Sequence, residues 1–348
     1  MSPLDKIIRQ IIAAQGALSL AAYMELALQN PDHGYYRVRE PLGREGDFVT
    51  APEISQMFGE MIGVWCAEAW RELGAPDSFV LIELGAGRGT MMRDALRATA
   101  KVAGFHAAKK LYLIESNQVL RDRQRETLAD YAPQFIDDIV QAPPMPVLIL
   151  ANEFFDALPV RQFEKTFRGW GERMVTVEGD ALALSLRPMT DAETALIPAV
   201  LREASPGAVF EFSPQAQHIM RDLSRAVAAN QGAMLIIDYG FVAPSGAPTV
   251  QAVSRHAYAN ILERPGKVDL TAHVDFTSLG QAAHHAGLNV SPVIGQGEFL
   301  RNLGIAIRAE SLKKQATPDQ AAAIDEALLR LTDDAQMGGV FKVMEVRA

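Results

Sequence analysis

The sequence predicts an α/β protein with a mostly parallel, Rossmann-like sheet, an N-terminal helical leader before the sheet and a β-rich insertion within it. One observation is that short runs, such as 79–84 and 147–151, are almost continuously apolar, with Glu83 as the exception. Another is that helical periodicity separates these runs, for example over 91–102. Strands that are apolar on both faces and alternate with helices are typical of a parallel sheet covered on both sides.

The leader is predicted to be helical with one long loop. Apolar residues at helical spacing predict two opening helices with a break near Gly16, and a further helix over about 54–73. Between them, the stretch 30–52 is rich in glycine and turn residues. Because long loops in compact proteins often carry function, we expect this stretch to act as a lid, with a well-packed turn as the alternative for half of it.

The core is predicted to follow in regular order. Strands are expected at 79–84, 111–115, 134–137, 147–151, 233–238 and 340–346, with helices at about 91–102, 117–130, 214–229 and 276–286. Between residues 160 and 188 the pattern changes to strands separated by turns. The predicted segments are therefore a leader or lid (1–75), the first part of the core (76–160), a β-rich insertion (161–210) and the completion of the core with substrate-side loops (211–348).

Composition and charge narrow the function classes. The 348 residues are 49% hydrophobic and 22% charged, which is ordinary for a globular enzyme. The formal net charge is −9, so the protein lacks the overall positive field that gathers nucleic acid. We therefore expect no nucleic-acid partner, while the sequence leaves the oligomeric state open.

The single cysteine and the absence of long apolar runs indicate the compartment. Cys66 cannot form an internal disulfide, and its apolar helical surroundings predict a buried structural thiol. No run of about 18 apolar residues is present, so no membrane span is expected. The first residues lack the features of a signal or transit peptide, and we expect a cytoplasmic protein.

A glycine-rich loop follows the first core strand. The segment 83–90 reads ELGAGRGT, so its glycines are spaced G-x-G-x-G and not G-x-G-x-x-G as in dinucleotide-binding proteins. This spacing disfavours a nicotinamide-dependent oxidoreductase. Glycines at a strand end let the backbone turn sharply and approach a ligand closely. The candidate cofactor-binding residues of this segment are Glu83, Gly85, Ala86, Gly87, Gly89 and Thr90.

Acidic residues end the next two strands. Glu115 ends the second strand, where a carboxylate can accept hydrogen bonds from ribose hydroxyls. Asp137 and Asp138 end the third strand, where an adenine amino group would lie. For Asp138, a helix cap or a solvated position is an equal alternative.

Several strings resemble one methyltransferase family. Segment 83–90 is similar to the E/D-x-G-x-G-x-G first motif of class I S-adenosylmethionine (SAM)-dependent methyltransferases, and 152–160 (NEFFDALPV) resembles the motif after strand four in the MidA-like members. That family contains the mitochondrial complex I assembly protein arginine methyltransferase and its bacterial relatives. Further matching strings are GYY at 34–36, GDFVTAPE at 46–53, IDYG at 237–240, DLTAHVDF at 269–276 and QGEFL at 296–300.

The resemblance implies a class I SAM-binding fold, SAM as the cofactor and methylation of arginine on a protein partner such as a complex I subunit. Glu83 would accept from the SAM ammonium, directly or through another group. Glu153 is the first candidate for the catalytic carboxylate, with Asp156 as a partner and Asn152 nearest the methyl donor. On the substrate side we expect Asp47, Thr50 and Glu53 of the lid, with Asp238, Tyr239, His273 and Asp275.

Some alternatives stay open. A small-molecule acceptor would keep SAM but change the substrate, and a non-catalytic assembly factor would retain only a vestigial SAM pocket. Phe154 and Phe155 follow Glu153 as apolar walls, and core packing is the favoured role for Phe155. His273 and Asp275 lack the spacing of a metal site, so we predict no metal. The pair His284-His285 is expected to face solvent.

Overall fold

A computed structural model describes residues 2–37, 50–254 and 257–348. Along these residues, helices and strands follow one another as set out below. The helices, in chain order, are α1 (Pro3–Gln15), α2 (Leu20–Gln29), α3 (Ala51–Ile54), α4 (Gln56–Glu72), α5 (Thr90–Ala98), α6 (Phe105–Ala108), α7 (Gln118–Thr127), α8 (Asp191–Thr194), α9 (Ala199–Arg202), α10 (Pro214–Asn230), α11 (Phe276–His285), α12 (Gln296–Asn302), α13 (Ile305–Lys313), α14 (Pro318–Thr332) and α15 (Met337–Val340). Short 3₁₀ helices cover Thr99–Lys101, Ala129–Tyr131 and Ile139–Gln141.

The strands carry both the predicted core and additional sheets. In chain order they are β1 (Leu18–Ser19), β2 (Phe79–Leu84), β3 (Lys109–Ile114), β4 (Gln134–Ile136), β5 (Val147–Asn152), β6 (Arg161–Thr166), β7 (Gly169–Glu178), β8 (Ala181–Pro188), β9 (Val209–Phe212), β10 (Ala233–Phe241), β11 (Gln251–Ser254), β12 (Ala257–Ala259), β13 (Asp269–Thr271), β14 (Val274–Asp275), β15 (Asn289–Val290), β16 (Ile294–Gly295) and β17 (Phe341–Arg347).

The predicted α/β fold class is confirmed. All six predicted core strands are present, within a few residues of their expected bounds. The predicted helix over 54–73 is instead broken at Ser55, whose extended backbone ends α3 and whose hydroxyl accepts from the Met57 N–H to cap α4. The helices α12, α13 and α14 were not predicted.

The chain divides into two compact units, each made of discontinuous segments. The insertion unit contains 1–41, 156–218 and 241–275, and the core unit contains 42–155, 219–240 and 276–348. The predicted β-rich insertion at 161–210 lies inside the insertion unit.

The core unit is built on one twisted sheet. Its strands lie in the order β15-β17-β10-β5-β2-β3-β4, and every pair from β10 to β4 is parallel. The strand β17 runs antiparallel to β10. Because the parallel strands share one direction, their carboxyl ends meet at the same edge of the sheet. That edge receives the glycine loop after β2 and the acidic residues after β3, β4 and β5.

Helices α4 and α5 pack closely in the core unit. Gly59 and Gly63 of α4 face α5, and a Cβ added to Gly63 would lie 2.5 Å from the Ala95 carbonyl oxygen. Trp70 of α4 also packs with Phe79 and Phe105 in an aromatic cluster whose ring centroids are 5.2 to 6.2 Å apart. The close approach of the two backbones therefore depends on glycine.

An added methyl group at Gly63 should cost up to about 3 kcal/mol, because the backbone of α5 must move. Alanine favours a helix over glycine by about 1 kcal/mol, so we expect Gly63→Ala to destabilise the protein by up to about 2 kcal/mol. Gly280→Ala is a matched control in α11, since its added Cβ would lie 3.6 Å from the nearest atoms. Urea unfolding should show a lower midpoint for the first variant and an unchanged or higher midpoint for the second; equal midpoints would contradict the packing argument.

The insertion unit contains two sheets. The larger has the order β1-β7-β6-β9, with β8 also pairing with β7, and the smaller has the order β12-β11-β13. Apolar side chains of α1 and α2 pack with Val175 and Leu270 in the core of this unit. An ion-pair network on the larger sheet joins Arg161 and Arg187 to Glu172 and Glu193.

Other predictions concern single residues. Cys66 is buried, as predicted, and burial raises the pKa of its thiol. The pair His284-His285 is exposed, also as predicted.

Within the residues described, no helix combines the length and the apolar character that a membrane span needs.

Candidate functional site

The glycine loop between β2 and α5 has a left-handed backbone at three positions. The φ angles of Gly85, Gly87 and Gly89 are +60°, +53° and +79°, which residues with a Cβ rarely adopt. The Gly85 N–H donates to the Ile114 carbonyl (2.9 Å), and the Gly89 N–H donates to the carbonyl of Ala86 (2.7 Å). The loop is thus tied to the end of β3 and leads directly into the N-terminus of α5, which favours anionic groups.

Glu83 lies near the end of β2 and is buried, with 3% of its surface exposed. Its Oε2 atom has no hydrogen-bond partner among the described residues. Desolvation, with a smaller contribution from the charge of Glu115, raises the pKa of Glu83 to about 8. Glu83 is therefore largely protonated at neutral pH, and a cation placed beside it would stabilise its ionised form.

Glu115 directly follows β3 and is also buried. Its Oε1 atom accepts from the Asn117 N–H (2.8 Å), and its Oε2 atom accepts from the Gln124 amide (3.3 Å). Burial raises the pKa of Glu115, whereas these hydrogen bonds lower it. The carboxylate therefore has a fixed orientation at the carboxyl edge of the sheet.

The two aspartates after β4 are exposed and engaged in local contacts. Asp138 accepts from the Val140 N–H (3.0 Å) and so caps a 3₁₀ helix, which was one of the two roles considered for it. Asp137 forms an ion pair with Arg121. A contact of either aspartate with adenine stays a prediction.

Asn152 and Glu153 stand at the end of β5. The φ angle of Glu153 is +51°, an uncommon value for a residue with a side chain, and its N–H donates to the Ile237 carbonyl (2.9 Å). Its Oε1 atom accepts from the Ala51 N–H (3.1 Å) and from the Asn152 amide (3.2 Å). The Oδ1 atom of Asn152 is buried without a partner among the described residues. Unusual backbone conformations of this kind cluster at functional sites.

Asp238, on the neighbouring strand β10, holds the loop that follows Glu153. Its side chain is fully buried, and its Oδ2 atom accepts from the N–H groups of Phe154 (3.2 Å) and Phe155 (3.0 Å). Its Oδ1 atom accepts from the Tyr239 N–H (3.0 Å). This geometry gives Asp238 a role in positioning the loop, while substrate contact by Asp238 and Tyr239 stays a prediction.

The two phenylalanines after Glu153 differ in their surroundings. Phe155 is buried, which confirms the core-packing role favoured from the sequence. Phe154 lies against the glycine loop, since a Cβ added to Gly85 would be 3.1 Å from its Cδ2 atom. The loop after β5 therefore directly adjoins the loop after β2.

The leader supplies further contacts to this edge. The Thr90 hydroxyl, at the first residue of α5, donates to Glu53 Oε1 (2.7 Å). Thr50 is the N-cap residue of α3, and its carbonyl accepts from the Glu53 N–H (2.9 Å). Asp47 lies outside the described residues. The structure thus brings Thr50 and Glu53 close to Thr90 and Glu153. A lid role for this part of the leader stays a prediction.

Three predicted residues belong to the insertion unit. Asp156 is buried, and its carbonyl accepts from the Ala272 N–H (2.9 Å). The His273 N–H donates to the Thr249 hydroxyl (2.9 Å), and desolvation lowers the pKa of the His273 imidazole. Asp275 lies in β14. Their roles on the substrate side, and the pairing of Asp156 with Glu153, stay predictions.

Gln124 was not singled out from the sequence. It is fully buried in α7 four residues after buried Leu120, so it occupies a position where an apolar side chain is expected. A polar residue on the apolar face of a helix is the signal that could have drawn attention to it. No group of three or more metal-ligating side chains is found among the residues that the structure describes.

Three comparisons bear on the chemistry of this edge. A family model for S-adenosyl-L-methionine-dependent methyltransferases matches residues 61–294. The chain is 35% identical to the mitochondrial protein arginine methyltransferase NDUFAF7 of Mus musculus, covering 91% of this chain and 77% of that protein. It is 32% identical to the Danio rerio protein of the same name, covering 96% of this chain and 84% of that protein.

A solved structure agrees with these matches over the full fold. A Burkholderia thailandensis protein bound to S-adenosyl-homocysteine (SAH) superposes with a TM-score of 0.88 at 30% identity. The alignment covers 99% of this chain and 92% of that one.

Proposed function

Because the chain belongs to the MidA-like family of S-adenosyl-L-methionine-dependent methyltransferases, we propose that it methylates an arginine side chain of a partner protein. The observation that carries this proposal is the Glu153 carboxylate, held just after β5 by hydrogen bonds from the Ala51 N–H and the Asn152 amide. The relatives named as protein arginine methyltransferases support the same acceptor.

The residues at the carboxyl edge of the sheet fit SAM. The buried Oε2 atom of Glu83 lacks a partner among the described residues, and an ammonium group would satisfy it. The Glu115 carboxylate follows β3, and hydrogen bonds to it from ribose hydroxyls are part of the proposal. The left-handed glycines leave room for a ligand to approach the backbone. When bound, SAM supplies a methyl group activated by a positively charged sulfur.

We expect SAM affinity to rise with pH. Glu83, with its raised pKa of about 8, is protonated in the free protein at pH 6, and it must lose that proton to pair with an ammonium. The association constant should therefore increase by up to about tenfold per pH unit from pH 6 and level off near pH 8.

Calorimetry can test this dependence directly. Titrations in two buffers of different ionisation enthalpy should show close to one proton released per SAM bound at pH 6.5. Glu83→Gln is the matched variant, and it should show weaker binding without this proton release. An equal proton count for both proteins would show that Glu83 does not carry the effect.

In the proposed reaction, Glu153 prepares the acceptor. A guanidinium has a pKa above 12, so its nitrogens are poor nucleophiles at neutral pH. A carboxylate that binds two N–H groups of the guanidinium orients its plane and localises the positive charge away from one nitrogen. Asn152, adjacent in the chain, would help to align that nitrogen by hydrogen bonding.

The resemblance to the family suggests the acceptor, and the sequence features described above suggest the compartment. We propose a protein acceptor related to subunits of respiratory complex I, with the reaction taking place in the cytoplasm. The acidic net charge of −9 would favour a partner with a basic segment, as a target arginine with basic neighbours would provide.

Transfer of labelled methyl groups tests the proposal. Purified protein and methyl-labelled SAM would be incubated with a lysate of cells in which the gene for this protein is deleted. The labelled protein band would then be cut from a gel and digested for mass spectrometry. Label on methylarginine supports the proposal. Label confined to the small-molecule fraction favours the alternative acceptor class, and no label together with intact SAM binding favours an assembly factor.

A further inference from the structure

Gln124 connects two parts of the cofactor site. Its side chain is fully buried, and its Nε2 atom donates to the Gly87 carbonyl (2.8 Å) and to Glu115 Oε2 (3.3 Å). A primary amide has two N–H donors, so one nitrogen can serve both acceptors. The glycine loop after β2 and the carboxylate after β3 are therefore held by the same amide.

The orientation of this amide is fixed by its donors. The Oε1 atom of Gln124 is buried without a partner among the described residues. Rotating the amide by 180° would direct that oxygen at a carbonyl and a carboxylate, which are both acceptors. Leaving one amide oxygen without a donor costs less free energy than directing it at two acceptors. The Gln124 amide therefore keeps its nitrogen toward Gly87 and Glu115.

A second residue of α7 acts on the same strand end. The Arg121 guanidinium donates through Nε to the Glu115 carbonyl (2.5 Å) and pairs with the Asp137 carboxylate after β4. One turn of α7 therefore contacts the segments that follow β2, β3 and β4 through Gln124 and Arg121. Asn117, the cap of this helix, donates its N–H to the other oxygen of Glu115.

We propose that Gln124 is a positioning residue for the ribose of the cofactor. It fixes which lone pairs of the Glu115 carboxylate face the ligand. At the same time, its hydrogen bond to the Gly87 carbonyl fixes the orientation of that peptide group. Hydrogen bonds to a carboxylate depend on direction, so a carboxylate free to rotate would accept less well from two adjacent hydroxyls.

Binding of SAH and of its 2′-deoxy and 3′-deoxy analogues tests this role. For the unaltered protein, we expect each missing hydroxyl to weaken binding by about tenfold or more, as for a hydrogen bond to a charged group. Gln124→Met keeps the length of the side chain and removes both donors. It should weaken SAH binding by about tenfold and bring the SAH-to-deoxy affinity ratio close to one.

The controls separate positioning from general damage. Gln118→Met is the same change at an exposed position of α7 and should leave all three affinities unchanged. If Gln124→Met does not fold, Gln124→Asn, which keeps the amide but shortens its reach, replaces it and should reduce the ratio. Equal weakening for SAH and the deoxy analogues, or no weakening, would overturn the proposal. Because SAH binding needs no acceptor, this result is independent of whether arginine is the substrate.

Discussion

Glu153→Gln should lower kcat for methyl transfer by about 10²- to 10⁴-fold, the usual range for losing a side chain that directs a proton or a charge in the transition state. The substitution keeps an oxygen that can accept from the Ala51 N–H, so the contact with α3 is retained. It removes the negative charge that would orient a guanidinium and localise its charge. Single-turnover assays with the identified protein acceptor would measure the chemical step separately from product release.

SAM affinity provides the internal check for this variant. Because Glu153 is assigned to the acceptor and Glu83 and Glu115 to the cofactor, the dissociation constant for SAM should change by less than about threefold. Glu326→Gln, the same change at an exposed position of α14, should behave as the unaltered enzyme. Full activity of Glu153→Gln with unchanged SAM affinity would remove Glu153 from the chemistry.

Gly87→Val should weaken SAM binding by at least about 100-fold. The φ angle of +53° at Gly87 is one that a β-branched residue adopts only at a high cost, so the loop must change its path. The carbonyl of Gly87 also accepts from Gln124, and a shifted loop would lose that contact. Calorimetric titration with SAM would measure the loss.

The matched control for this change is Gly179→Val. Gly179 has a φ angle of +56°, in the turn between β7 and β8, and no atom lies within 4 Å of the position of an added Cβ. It therefore carries a similar backbone strain without belonging to the glycine loop. Equal loss of SAM affinity in both variants would point to general destabilisation, and a loss confined to Gly87→Val supports the loop as the cofactor site.

Periodicity and turn residues predicted most of the core unit. The largely apolar run at 79–84, followed by glycines, predicted a buried strand that ends in a loop, and the strand is found at those residues. Glu115 was identified because it ends a predicted strand, and the carboxyl ends of parallel strands share an edge. That prediction needed only local pattern and one topological rule, whereas Glu153 was identified through the resemblance of segment 152–160 to the family motif.

Other features depend on contacts that a sequence pattern does not contain. The donors for Glu153 Oε1 include Ala51, which is about a hundred residues earlier in the chain. Asp238 was expected at the substrate side, yet its carboxylate is occupied by three backbone N–H groups. Gln124 was overlooked because composition alone places glutamine on surfaces. Each case is decided by tertiary neighbours and not by local propensity.

The position of β17 has a consequence for how the protein is made. This strand lies between β15 and β10, yet it follows β10 by about a hundred residues along the chain. During synthesis the parallel strands from β10 to β4 can assemble first, with one side of β10 left open until β17 has emerged. An unpaired apolar strand edge invites pairing with other chains, so slow or interrupted translation after β10 would expose the nascent protein to aggregation.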